Sequence, residues 1–195
     1  MELGDLQELF DQARKLTNHA EFVVVGSLSI LGIVQGNEIP ARMLMSIDVD
    51  CFIRRDPGRT FELQQQLGEG SPFEASHGYY LDPISPAVPT LPKQWEFRLV
   101  RVPLDSNIVV FFLEPNDAAV SKYARGERRD REWIQAGLAA GLLSAPIIES
   151  RFRETDFLDA EERERAVKAL AEDRSKFHPA TAESGTPPGG LPPRA

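Results

Sequence analysis

The feature that most constrains the fold is an uninterrupted apolar run over residues 22–25 that leads directly into Gly26 and Ser27. Such a short run is typical of a strand that is buried on both faces. Gly26 allows the backbone to approach a ligand closely, and we expect a short helix over residues 27–34 to begin at this turn. The free N–H groups at the start of that helix, with the Ser27 hydroxyl, would form an anion site of the size of a phosphate.

Two carboxylates lie two residues apart in the next predicted strand, which covers residues 46–53. Asp48 and Asp50 flank Val49, and side chains two apart in a strand point to the same side. Their like charges disfavour the ionisation of both groups unless a cation lies between them. Mg²⁺ prefers oxygen ligands and often takes one or two carboxylates together with substrate phosphates. The pair therefore indicates a metal site; the alternative is an edge strand whose acids face water.

The hydrophobic pattern predicts the elements around this core. Apolar residues recur at helical spacing over residues 5–18, with Asp5 as the candidate cap. Further along we expect a helix over 60–67, a strand over 77–82 and a hairpin of strands over 95–102 and 108–113. From Pro115 onward the pattern is helical, and a last helix over 159–172 begins with the capping pair Asp159 and Glu162. The fold class that follows is α+β, a small mixed sheet with a helical C-terminal part.

The order of elements predicts one domain and a tail. The domain would cover residues 1–177, with a sheet part over about 20–114 and a helical part over about 115–177. Residues 178–195 are rich in proline and glycine, and Leu191 is their only large apolar group. Because such a segment cannot bury enough surface to offset the entropy of ordering, we expect a disordered tail.

Composition excludes some classes of protein and sites. Acidic residues number 30 against 22 basic ones, for a net charge of −8, which argues against binding nucleic acid through bulk charge. The single cysteine, Cys51, excludes an intrachain disulfide and zinc sites with two or four cysteines, and we interpret it as a core thiol. The acidic start and the short apolar runs favour a cytoplasmic protein without a membrane segment.

The order Val25-Gly26-Ser27, then Asp48-x-Asp50, resembles the DNA polymerase β-like nucleotidyltransferase superfamily. In that group a Gly-Ser or Gly-Gly turn holds the nucleoside triphosphate and two strand carboxylates bind magnesium. A third acid follows on a later strand, flanked by apolar residues. The resemblance implies Asp82 as that third ligand, with Glu96 as the alternative, and a sheet of the nucleotidyltransferase type.

A second stretch extends the resemblance. Residues 113–122, followed by Gly126 and Asp130, are similar to a helix of the abortive-infection toxin nucleotidyltransferases and related uncharacterised bacterial families. Lys122, Arg129 and Asp130 match the lysine, the basic residue and the aspartate of that helix. Two departures are Glu127, where those families often have arginine and where Arg128 is the candidate replacement, and a spacing of 21 positions from Ser27 to Asp48. The extra residues, about 35–43, are expected to form a loop beside the site.

The resemblance implies a magnesium-dependent transfer of a nucleoside monophosphate from a triphosphate to a hydroxyl of a tRNA or protein acceptor. It further implies a toxin or defence component with a cognate antitoxin as partner. Metal ligation and catalysis would fall to Asp48, Asp50 and Asp82. The nucleotide would be bound by Gly26, Ser27, Lys122 and Arg129, with Lys122 also neutralising developing charge. The alternative is a non-catalytic nucleotide-binding, regulatory or antitoxin-like module on the same fold.

Several basic and aromatic side chains have simpler interpretations than a role in the site. Lys122, Arg125 and Arg129 are spaced three and four apart, so on one helix they form either a solvated basic face or a stripe that faces phosphates. His77 is interpreted as a surface histidine. Trp95 and Trp133 are interpreted as core anchors rather than base-stacking platforms.

Overall fold

The computed structural model describes residues 1–33 and 38–177. The tail predicted over 178–195 and part of the loop predicted over 35–43 lie outside the described residues. Within the described ranges, no helix combines the length and the apolar character that crossing a bilayer requires.

The core of the fold is a five-stranded mixed sheet. Its strands are β1 (Glu21–Val24), β2 (Asp48–Ile53), β3 (Tyr80–Pro83), β4 (Val100–Pro103) and β5 (Val109–Phe112), in the order β3-β2-β1-β5-β4. β1 pairs antiparallel with β2 and parallel with β5, β2 pairs parallel with β3, and β4 and β5 form the antiparallel hairpin. This sheet and the helices after it confirm the α+β prediction.

The central position of β1 follows from its apolar composition. Phe22, Val23 and Val24 are almost fully buried, as predicted for a strand covered on both faces. Helix α1 (Leu3–Thr17) buries Leu6, Leu9, Phe10 and Ala13, and the rings of Phe10 and Phe22 stack at 4.6 Å. Asp5 lies in the first turn of α1 rather than at its cap: its carboxylate accepts a hydrogen bond from the Glu2 N–H.

The residues between β2 and β4 form short elements. A 3-10 helix, Pro57–Leu63, leads into α2 (Gln64–Leu67), where the sequence predicted one helix. The strand predicted over 77–82 is wrong at its start, because His77 is the last residue of α3 (Pro72–His77), Gly78 caps that helix and β3 begins only at Tyr80. Likewise the strand predicted over 95–102 begins with a 3-10 turn, Trp95–Arg98, before β4.

Four helices form the C-terminal part: α4 (Pro115–Arg125), α5 (Arg128–Ala139), α6 (Ala145–Arg153) and α7 (Ala160–Phe177). The Glu114 carboxylate caps α4 by accepting from the N–H groups of Asn116 and Asp117. The predicted pair at the start of α7 is present, because Asp159 accepts from the Glu162 N–H at 2.7 Å. Helix α4 packs against the other three helices, so it connects the helical part to the sheet.

Candidate active site

Three carboxylates converge where β2 and β3 run side by side. In the parallel register Asp50 lies opposite Asp82 and Asp48 lies opposite Tyr80. Because alternate residues of a strand share a face, all three carboxylates project from the same side of the sheet. One carboxylate oxygen of each residue lies within 4.8 Å of the others, a spacing that a single metal ion could bridge.

The electrostatics of this group depend on the burial of Asp50. Desolvation raises the pKa of Asp50 to about 7, the neighbouring charges of Asp48 and Asp82 add to the shift, and Lys122 partly offsets it. Burial and the charge of Asp48 also raise the pKa of Asp82. Three acids held this close without a cation favour the retention of a proton. Their donor set, carboxylate oxygens only, fits a hard divalent cation such as Mg²⁺.

The Gly26-Ser27 turn packs directly on this group. The Val25 N–H donates to the Asp50 carbonyl at 2.9 Å, so β1 stays paired with β2 up to the turn. Gly26 has φ +67°, and a Cβ atom at this position would lie 2.0 Å from Asp50 Oδ2. Only glycine therefore allows the turn and the carboxylate to come this close. Ser27 begins a short 3-10 helix, Ser27–Gly32, where the sequence predicted a helix over 27–34.

Lys122 on α4 reaches the same turn. Only 4% of its surface is exposed, and its Nζ donates to Ser27 Oγ at 3.0 Å and to Asp130 Oδ1 at 3.2 Å. Burial lowers the pKa of Lys122, while Asp130 opposes that effect. The indole of Trp133 lies beneath the ammonium, 4.9 Å from ring centre to Nζ, and donates to the Ser27 carbonyl. The contacts place one positive charge beside the turn.

The Asp130 carboxylate accepts hydrogen bonds from two basic side chains, Lys122 and Arg125. The Arg125 guanidinium donates twice to its carboxylate, both at 2.6 Å. Burial alone would raise the pKa of Asp130, but the hydrogen bonds from Arg125 and the charge of Lys122 hold it below its usual value. Gly126, with φ +72°, ends α4 before α5 begins. The single helical stripe predicted for Lys122, Arg125 and Arg129 is therefore wrong.

Arg129 and Arg128 lie at the start of α5 and are exposed. Arg129 pairs with Glu127 at 2.7 Å, and Arg128 pairs with Glu132 at 2.8 Å. Arg129 still lines a cleft of about 280 Å³ together with Ser27, Asp48 and Asp130.

A larger cleft of about 600 Å³ adjoins the other side of the site. Gly26, Asp50, Lys122 and Arg125 line it, which places the carboxylate with the raised pKa and two positive groups in one space. Asp50 thus lines the larger cleft and Asp48 lines the smaller one, although their carboxylates belong to the same group.

The remaining sequence candidates lie elsewhere. Glu96 is exposed on the 3-10 turn and is not part of the three-carboxylate group. His77 is exposed at the end of α3 and stacks on Phe73 at 4.0 Å. Cys51 is fully buried, and burial raises the pKa of its thiol, as expected of a core cysteine. Trp133 is buried, whereas Trp95 is half-buried: it packs against the hydrophobic core and also lines the larger cleft.

Sequence reasoning missed a buried ion-pair centre next to the larger cleft. Asp117, which is fully buried on α4, accepts a hydrogen bond from Arg98 Nε at 2.7 Å and pairs with Arg151 Nε at 3.1 Å. An aspartate in a first helical turn is common because it favours the helix dipole. Since its partners come from the 3-10 turn and from α6, no local pattern marks this role.

Comparison with known proteins agrees with this geometry. The family described as "Nucleotidyltransferase of unknown function (DUF6036)" matches residues 4–181. No curated protein and no solved structure gives a significant match. The matched range includes the residues of both clefts, the three carboxylates and all five strands, and the chain therefore belongs to the DUF6036 family of nucleotidyltransferases.

Proposed function

We propose that this protein transfers a nucleoside monophosphate from a triphosphate to a hydroxyl group of an acceptor, with Mg²⁺ as the metal. The observation that carries the proposal is the convergence of Asp48, Asp50 and Asp82 within 4.8 Å beside the Gly26-Ser27 turn. Family membership supports a triphosphate as one substrate.

The proposed roles follow from the position of each side chain. Asp48, Asp50 and Asp82 would hold the cation, which when bound stabilises both the entering and the leaving oxygen of an in-line displacement. Gly26 and Ser27 would hold the β- and γ-phosphates at the turn. The ammonium of Lys122, 3.0 Å from Ser27 Oγ, would offset charge that develops on the leaving pyrophosphate.

The proposed transfer forms one bond to phosphorus and breaks one. The acceptor oxygen forms a bond to the α-phosphorus, and the bond from that phosphorus to the β-phosphate oxygen breaks. The Asp82 carboxylate, which has a second oxygen besides the one that faces Asp48 and Asp50, accepts the hydroxyl proton as the general base. Pyrophosphate leaves with the electron pair.

We propose a tRNA or a protein as the acceptor, and we propose that the protein belongs to a cytoplasmic toxin or defence system with a cognate antitoxin. Arg128 and Arg129 support the tRNA acceptor, because they are exposed at the start of α5 and Arg129 lines the smaller cleft beside Asp48. A polyanionic acceptor could contact these guanidinium groups although the whole chain is acidic.

The test compares wild type with Asp48→Asn. We expect calorimetry to show triphosphate binding in wild type that depends on Mg²⁺ and is lost in the variant, while circular dichroism shows an unchanged fold. Glu96→Gln is the matched control, because it removes an exposed carboxylate outside the group. Equal Mg²⁺-dependent affinity in wild type and Asp48→Asn would refute the proposed site.

A second measurement separates the enzyme from a binding module. Triphosphate labelled at the α-phosphate is incubated with RNA and protein extract, and covalent label is followed. Transfer by wild type and not by Asp82→Asn supports the enzyme. Binding without transfer supports the non-catalytic or antitoxin-like alternative.

A further inference from the structure

The larger cleft has a wall that the proposed chemistry does not use. Val88 and Leu158 line this wall although 68% and 85% of their surfaces are exposed. Exposed aliphatic side chains at the edge of a polar site are commonly covered by a ligand, since ligand clefts combine apolar walls with a few polar groups. With a volume of about 600 Å³ the cleft is in the usual size range of small-molecule sites.

Trp95 supplies the aromatic surface of this wall. It is half-buried, and its ring is fixed by an edge-on contact with Phe52 at 6.5 Å and 86°. Trp133, which contributes to the smaller cleft, has only 2% of its surface exposed and faces Lys122. Of the aromatic side chains that line these two clefts, Trp95 is therefore the one with a ring surface open to a ligand.

Two hydrogen bonds hold the turn that bears Trp95. Arg98, on the same 3-10 turn, donates to Asp117 of α4 at 2.7 Å and to the Lys93 carbonyl at 3.1 Å. Because Lys122 is also on α4, the Arg98–Asp117 pair links the turn that bears the tryptophan to the helix that bears the ammonium. The Lys93 N–H also donates to the Glu154 carbonyl at 2.9 Å, which ties this wall to the segment after α6.

We propose that Trp95 stacks on the base of the bound nucleoside triphosphate and that Arg98, through Asp117, is the positioning residue for that tryptophan. This inference rests on the proposed function, because the phosphates must lie at the Gly26-Ser27 turn and Lys122 for the base to reach this wall. Stacking on an aromatic ring is tolerant of base identity, so the subsite accepts more than one base.

The first test compares two ligands that differ by the nucleoside. Binding of a nucleoside triphosphate and of inorganic tripolyphosphate, both with Mg²⁺, is measured by calorimetry without acceptor. We expect Trp95→Ala to weaken triphosphate binding roughly 10- to 100-fold and to change tripolyphosphate binding less than about twofold. Trp95→Phe should restore most of the loss. Phe97→Ala is the matched control, since Phe97 lies on the same turn with 88% of its surface exposed.

The outcomes separate this inference from the proposed function. If Trp95→Ala weakens both ligands equally, or neither, the stacking role is refuted while the metal and phosphate sites stand. If wild type binds neither ligand with Mg²⁺, the proposed function fails and the inference fails with it. Quenching of tryptophan fluorescence by the nucleotide but not by tripolyphosphate, lost in Trp95→Phe although that variant retains Trp133, is the expected optical signature.

The second test addresses positioning. Arg98→Ala and Arg151→Ala each remove one of the two guanidinium partners of Asp117, but only Arg98 lies on the turn of Trp95. We expect Arg98→Ala to weaken nucleoside triphosphate binding at least about fivefold with tripolyphosphate binding preserved, and Arg151→Ala to leave the ratio of the two affinities unchanged. Equal changes of that ratio in both variants would refute the positioning role.

Discussion

At the scale of single residues, the site depends on a contact between a glycine and a carboxylate. We predict that Gly26→Ala displaces Asp50, because the new Cβ would lie 2.0 Å from Asp50 Oδ2 and the backbone has a positive φ. Mg²⁺-dependent nucleotide binding should be lost, and urea unfolding should show a loss of stability of roughly 2–4 kcal/mol.

Gly70→Ala is the control for that experiment. Gly70 has a similar φ of +76°, but a Cβ there meets nothing within 4 Å. Gly70→Ala should lower the free energy of unfolding by only about 1 kcal/mol, the cost of a positive φ at a residue with a side chain, and should keep nucleotide binding. Equal losses in the two variants would show that the contact with Asp50 is unimportant.

Asp50 makes the stability of the metal-free protein depend on pH. Its pKa is raised from 3.8 to about 7 in the folded state, so the folded state binds the proton more tightly than the unfolded chain does. The stabilisation that the Asp50 proton contributes is therefore fully present below about pH 4, is lost as the pH rises to about 7, and changes no further above that. The loss amounts to a few kcal/mol, since each pKa unit corresponds to about 1.4 kcal/mol.

We predict that Asp50→Asn removes the Asp50 part of this dependence, while the part due to the raised pKa of Asp82 stays. The metal-free variant should be more stable than wild type at pH 8, and its Mg²⁺ binding should be lost. Urea unfolding at several pH values, with chelator present, measures the pH dependence and the stability of the two metal-free proteins. Parallel pH profiles for the two proteins would contradict the prediction.

At the scale of elements, the turn between α4 and α5 brings Asp130 of α5 into contact with Lys122 and Arg125 of α4. Asp130 is 1% exposed and Lys122 4%, so removal of the carboxylate leaves a buried ammonium without its counter-charge. We predict that Asp130→Leu costs about 3–5 kcal/mol of unfolding free energy. In the double variant Lys122→Met/Asp130→Leu most of that loss should be recovered, because neither charge then remains buried.

The exposed pair of Arg128 and Glu132 on α5 is the comparison. Arg128 is 93% exposed in its side chain, so Arg128→Ala should change stability by less than about 0.5 kcal/mol. If the double variant Lys122→Met/Asp130→Leu is as unstable as Asp130→Leu alone, packing and not charge accounts for the stability of the contact between α4 and α5.

At the scale of the whole molecule, the domain boundary stays a prediction. We expect a variant that ends at Phe177 to melt within about 1 °C of the full chain and to bind nucleotide with the same affinity, because residues 178–195 offer almost no large apolar groups. Differential scanning calorimetry and titration check this. A drop of several degrees would place the tail in the folded domain.

Local sequence signals predicted some elements well and others poorly. The apolar periodicity of α1, the apolar run of β1 and the Asp159–Glu162 capping pair are complete within a few residues, and each is present in the structure. The errors at residues 77–79 and 95–98 are in short segments. The local signals of α3 are Ser71, which caps its start, and Gly78, which ends it in the left-handed region.

By itself the sequence determined the α+β class and the pair Asp48 and Asp50, because a strand places alternate side chains on one face whatever the fold around it. Asp82 was implied by the resemblance to the nucleotidyltransferase superfamily, with Glu96 as the alternative. Only the tertiary structure decided that β2 and β3 run in parallel with Asp50 opposite Asp82, that Lys122 is buried against Ser27, and that Trp95 lines the larger cleft. The reason is that strand register, burial and the pairing of Asp117 with Arg98 and Arg151 depend on contacts between residues distant in the chain.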